Sequence, residues 1–94
     1  MGSTYIRHAQ VDIDLEDIYS FIGRDNLVAA DRVLKAAEAT FAEIGRNPLI
    51  GIRSRPIHGF ANYQIFYRVV SNQPEILRVI HGARDLTEAL LDRE

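Results

Sequence analysis

The sequence predicts one α+β domain, a helical hairpin packed against an antiparallel sheet. Three observations predict it. Two apolar stripes with helical spacing lie between Val11 and Ile44, and only a short break separates them. After Gly51 the apolar period changes to that of a strand and keeps that value to His81. The strand-like segments are grouped behind the helices instead of alternating with them, which is the order of an α+β fold.

Residues 3–8 (STYIRH) alternate and predict a short first strand. From Val11, apolar residues recur at Leu15, Ile18, Tyr19 and Ile22, one face of a helix. Asp12 or Asp14 is placed to cap it and Gly23 to end it. Asp25 or Asn26 is placed to cap a second helix, whose stripe is Leu27, Ala30, Leu34, Ala37, Phe41 and Ile44. Gly45 and Asn47-Pro48 stop it. A break this short makes the two helices antiparallel neighbours.

Residues 52–57 (IRSRPI) predict a strand in which Pro56 removes a ladder donor and marks an edge or an end. Residues 62–70 (NYQIFYRVV) read most clearly as a strand. One face carries Tyr63, Ile65, Tyr67 and Val69, and the other Gln64, Phe66, Arg68 and Val70. Ser71 to Pro74 predict a turn, and residues 75–81 a last strand with Leu77 and Val79 on one face and Ile76, Arg78 and Ile80 on the other. Residues 86–92 (LTEALLD) predict a short tail or helix. The predicted order is β-α-α-β-β-β.

A chain of 94 residues is one domain and buries about 60–65% of its unfolded surface, enough for one modest core. With no cysteine, disulfides, thiolate catalysis and cysteine metal sites are excluded, and a reducing compartment is expected. Met1 to Tyr5 show no apolar signal region, and no apolar run approaches the roughly 20 residues that span a bilayer. These features predict a cytoplasmic protein with no membrane contact. The net charge of −2 speaks against gripping nucleic acid directly, because that needs Lys and Arg to neutralise phosphates. The only lysine is Lys35. Arg53, Arg55, Arg68, Arg78 and Arg84 lie in the C-terminal half, while Asp12, Asp14, Glu16 and Asp17 crowd the front.

His8, His58 and His81 form no metal-ligand spacing, and the chain has no nucleophile elbow or P-loop. No metal or other cofactor is expected. Tyr63 and Tyr67, spaced along one strand face, suit core packing. A hairpin centred on residue 73 sets Arg68 across from Arg78, an arrangement of like charges that costs about 0.2–1 kcal/mol. Such a pair is tolerated where an anionic group visits that face, or where both side chains splay into water. Phe66 and Ile80 lie beside it as candidate apolar anchors for a partner.

The stretch VIHGARDL at 79–86 ends a hydrophobic strand in an imidazole, a glycine and an Arg-Asp couple. Gly82 lets the backbone turn out of the strand, and Asp85 is placed to cap the turn that follows. Its plain reading is a structural strand terminus with Arg84 paired to a nearby acid. Its functional reading is that Arg84 and the tail are presented to another protein.

Several pieces, taken in order, resemble the ParE/RelE superfamily of toxins from bacterial type II toxin–antitoxin systems, in its ParE-like branch. They are DLEDI at 14–18 with FI at 21–22, AADRVL at 29–34, NPLIG at 47–51, GF at 59–60, YQIFYR at 63–68 and ILRVIHGARD at 76–85. The resemblance runs from about Thr4 to Glu88. It implies a helical hairpin on an antiparallel sheet, and a cognate antitoxin as partner in a hetero-oligomer. RelE-type members cleave mRNA on the ribosome, whereas ParE-type members poison DNA gyrase. At the slots where RelE-type members carry an arginine and a tyrosine, this chain has Gln64 and Leu90; only Arg84 matches. Cleavage needs proton transfer and cations for the charged phosphorane, which Gln64 and Leu90 do not supply.

The resemblance therefore implies a non-enzymatic inhibitor of gyrase. A rearranged ribonuclease and a binding module that has lost toxicity are the alternatives. Phe66, Arg68, Arg78 and Ile80 are the expected antitoxin contacts. His81, Arg84, Asp85, Leu86 and Leu90 are the expected target contacts, and no catalytic residue is expected.

Overall fold

The computed structural model describes residues 5–47 and 52–82. The elements are β1 (Ile6–Arg7), α1 (Ala9–Gly23), α2 (Leu27–Arg46), β2 (Ile52–Ile57), β3 (Phe60–Val70) and β4 (Gln73–His81), in the predicted α+β order. The four strands form one sheet in the order β1-β4-β3-β2. The predicted tail over residues 86–92 lies outside the described residues.

The sheet is mixed, not antiparallel throughout. The chain leaves β1, passes through both helices and returns so that β1 lies parallel to β4, with Ile6 beside Glu75 and Arg7 beside Ile76. Among the described residues the first strand is also shorter than alternation predicts, while positions 3 and 4 of the expected strand lie outside them. The backbone turns at His8, whose N–H donates to the Ile76 carbonyl at 3.0 Å, and α1 begins at Ala9. Neither Asp12 nor Asp14 caps that helix. His8 takes the N-cap place, but its side chain makes no cap hydrogen bond and reaches Glu75 instead. Asn26 caps α2 as expected, accepting from the Ala29 N–H at 3.0 Å.

Both helices bury one stripe against the sheet. Val11, Leu15 and Ile18 from α1 meet Val33, Ala37, Phe41 and Ile44 from α2, over Ile57, Tyr63, Ile65, Tyr67, Ile76 and Val79. The stripe of α2 is wider than the predicted one, with Ala30, Ala37, Phe41 and Ile44 buried as expected and Leu34 packed against the core. Leu27 is exposed, while Val33 and Thr40 are buried. Val33 and Thr40 each precede a predicted stripe residue and widen the same buried face. Thr40 is tolerated there because its hydroxyl donates to the Ala36 carbonyl at 2.7 Å and accepts from the His58 N–H at 3.3 Å.

Two tight turns fix the antiparallel register. Gly59, at φ +80°, closes β2 onto β3, and Ser71 and Asn72, at φ +51° and +65°, close β3 onto β4. Positive φ at both central residues is the two-residue turn whose twist suits a hairpin. The turn is thus tighter than Ser71 to Pro74, and Pro74 lies within β4, opposite Val69. Its missing N–H costs no bond to β3, because Gln73 and Val70 form the closing pair and the next amide faces the other edge. β2 with its Pro56 is an edge strand, as read from the sequence.

A bulge in β4 then alters the facing pairs. Tyr67 faces Ile76 and Phe66 faces Arg78, so Leu77 is the extra residue. Ile76 and Val79 therefore share the core face, where unbroken alternation had separated them. Arg68 faces Glu75, and the expected Arg68–Arg78 pair does not exist.

Candidate functional site

The far half of β4 and the residues around it bring the candidate side chains together. Beyond Ile76 no described strand covers the outer edge of β4, so its amides need other partners. Asp14 supplies one. It is a carboxylate inside the apolar stripe of α1, only 7% exposed. Its Oδ2 accepts from the Val79 N–H and from Arg78 Nε, both at 2.9 Å. Its Oδ1 accepts from Arg78 Nη2 at 3.1 Å and Gln10 Nε2 at 3.0 Å. A bidentate arginine and an edge amide on one carboxylate lock α1 to the end of β4.

A second carboxylate serves the other arginine. Glu75 Oε1 accepts from Arg68 Nε at 3.1 Å and lies 3.1 Å from His8 Nε2. Hydrogen bonding from His8 first, then from Arg68, holds the Glu75 carboxyl below the usual carboxylate range. The two arginines read as a free cationic face are therefore neutralised within the fold. Phe66 and Ile80, the expected apolar anchors, pack together and are only 5% and 6% exposed.

Gln64, at the slot that would need a cation, turns back on its own chain and donates from Nε2 to the Ala61 carbonyl at 3.2 Å. His81 is exposed at the end of β4, with its ring 4.9 Å from that of Tyr63. Tyr63 is buried, and burial pushes its hydroxyl pKa up. Gly82 has φ +76°, the conformation expected of the residue that turns the chain out of the strand. The expected target contacts Arg84, Asp85, Leu86 and Leu90 lie outside the described residues. Sequence reasoning missed Asp14 and Glu75 as partners. The signal for Asp14 was a carboxylate among core positions, since a buried charge requires a partner.

A protein-family model for the ParE toxin of type II toxin–antitoxin systems, parDE, matches residues 5–86. The chain belongs to the ParE toxin family. Membership makes it a ParE-like toxin of a type II toxin–antitoxin pair, with an antitoxin as the implied partner. No curated protein matches the sequence. The matched span includes every element of the fold and the strand end at His81-Gly82. No helix among the described residues is long and apolar enough to cross a membrane.

Proposed function

We propose that this ParE-like chain inhibits DNA gyrase by binding it and trapping it with cleaved DNA, without a reaction of its own, and that its antitoxin neutralises it. It acts in the cytoplasm, where both partners are met. Family membership supports the toxin reading. The observation that carries the non-enzymatic part is how the sheet's polar side chains are used. Arg78 is held by Asp14, Arg68 by Glu75, and Gln64 by its own backbone. A ribonuclease needs such groups aimed at the charge that develops on phosphorus. Stabilising one state of a target enzyme needs only differential affinity for that state.

The target-facing part of this proposal is the strand end at His81 together with Arg84, Asp85, Leu86 and Leu90. Truncation after Ala83 abolishes toxicity while the fold and antitoxin binding are retained. The test is expression without antitoxin, scored for filamentation and a DNA-damage response, with co-expressed antitoxin restoring growth. Codon-positioned mRNA cuts in a ribosome assay, lost on Arg84→Ala or His81→Ala, would replace this reading with that of a RelE-type ribonuclease.

A further inference from the structure

Beside the lock at Asp14, on the next turn of α1, a cleft of about 380 Å³ opens between the helix and the sheet end. Asp17, Ile18, Phe21, Tyr63 and His81 line it. We infer that this cleft is a receptor for a basic side chain, an arginine or lysine of the antitoxin. Three observations carry the inference. Asp17 has no hydrogen-bond or ion-pair partner among the described residues, unlike Asp14 three residues before it. Three of the five lining residues carry rings, and Tyr63 and His81 pack together as one wall at 4.9 Å. Phe21 is 63% exposed yet already holds a guanidinium, with Arg24 Cζ 5.8 Å from its ring centroid.

Exposed aromatic faces attract cations, and a carboxylate at the same mouth adds charge pairing. An acidic side chain entering the cleft meets Asp17 and is repelled. A purely apolar one leaves that carboxylate facing it without a counter-charge. The larger groove on the other flank of α1 lacks this character. There Arg7 already binds Asp12 and Glu38, at 3.0 and 2.8 Å, so the cation is supplied from within. That the occupant comes from the antitoxin rests on the toxin reading above; the cleft's preference for a cation does not.

The test has two arms. The first titrates the whole chain with Nα-acetyl-arginine amide and with Nα-acetyl-glutamate amide while NMR follows the Phe21, Tyr63 and His81 ring signals. Saturable shifts with the arginine amide alone are expected, with affinity about fivefold weaker in Asp17→Asn and in Phe21→Ala. Equal responses to both amides, no response, or an arginine response that ignores both variants overturns the cleft as a cation receptor.

The second arm measures the complex with the cognate antitoxin. Both Asp17 and Phe21 are exposed, so the variants keep the fold, which circular dichroism checks. Asp17→Lys is expected to weaken the complex at least about tenfold through like-charge repulsion at the contact. An unchanged Kd removes the antitoxin as occupant and leaves the toxin reading intact. If the wild-type chain forms no complex at all, the toxin reading falls and its occupant with it, while the amide titration still judges the cleft.

Discussion

Replacing Asp14 by alanine strips partners from the Arg78 guanidinium and the Val79 amide together. Removing one member of a buried ion pair costs about 3–5 kcal/mol, and partial exposure of Arg78 lowers the expectation to about 2–3 kcal/mol. Urea unfolding of Asp14→Ala checks the value. A loss below about 0.5 kcal/mol, the size of an ordinary surface substitution, contradicts the lock. Glu75 gives a pH-dependent counterpart. Its folded carboxyl gives up its proton more readily than an unfolded glutamate, near pH 4.3. The stability it contributes is therefore complete above that unfolded value and is lost as pH falls through the lower folded one. Glu75→Gln is expected to lower stability at neutral pH and to flatten the acid limb of a stability–pH curve. A curve parallel to wild type throughout contradicts it.

At the scale of elements, the hairpin turn sets which side chains face each other. Ser71 and Asn72 both sit at positive φ, where a residue with a Cβ is strained unless it is Asn or Asp. Converting the pair to Asn-Gly, by Ser71→Asn with Asn72→Gly, is expected to stabilise by about 1 kcal/mol and raise Tm by about 4–8 °C. Asn72→Val is expected to destabilise by about 1–2 kcal/mol. Thermal unfolding of both variants is the check; a rise in Tm for Asn72→Val would contradict the turn assignment.

The same turn shows what was legible. Element order, the Asn26 cap and the edge position of β2 follow from periodicity, capping chemistry and Pro56, all local properties. The facing of Arg68 with Glu75 depends on where the turn is centred, and that of Phe66 with Arg78 on the bulge at Leu77 as well. A shift of one residue moves every side chain to the other face. The parallel pairing of β1 with β4 joins residues 69 positions apart, and no local pattern encodes it. The packing of Phe66 and the pairing of Arg78 were not legible for the same reason, since their partners lie far away in the chain. Arg78 meets Asp14, 64 residues before it, and Phe66 packs on Ile80 from the neighbouring strand.

At the scale of the whole molecule, the fold presents two kinds of surface. Arg68 and Arg78 of the sheet are tied to carboxylates, and the far end of the domain exposes His81, Phe21 and the carboxylate of Asp17 close together. A domain built this way uses the charges of Arg68, Arg78, Asp14 and Glu75 to hold strands and helix in register and leaves rings and the Asp17 carboxylate at the cleft for recognition. That division fits a protein acting through binding, which is the central claim. The most direct measurement is a supercoiling assay with purified gyrase and the wild-type chain, read for both relaxed product and cleaved DNA. The account predicts inhibited supercoiling with accumulation of gyrase-linked cleaved DNA, reversed by adding antitoxin. Unchanged supercoiling and no cleaved DNA at saturating protein would contradict it.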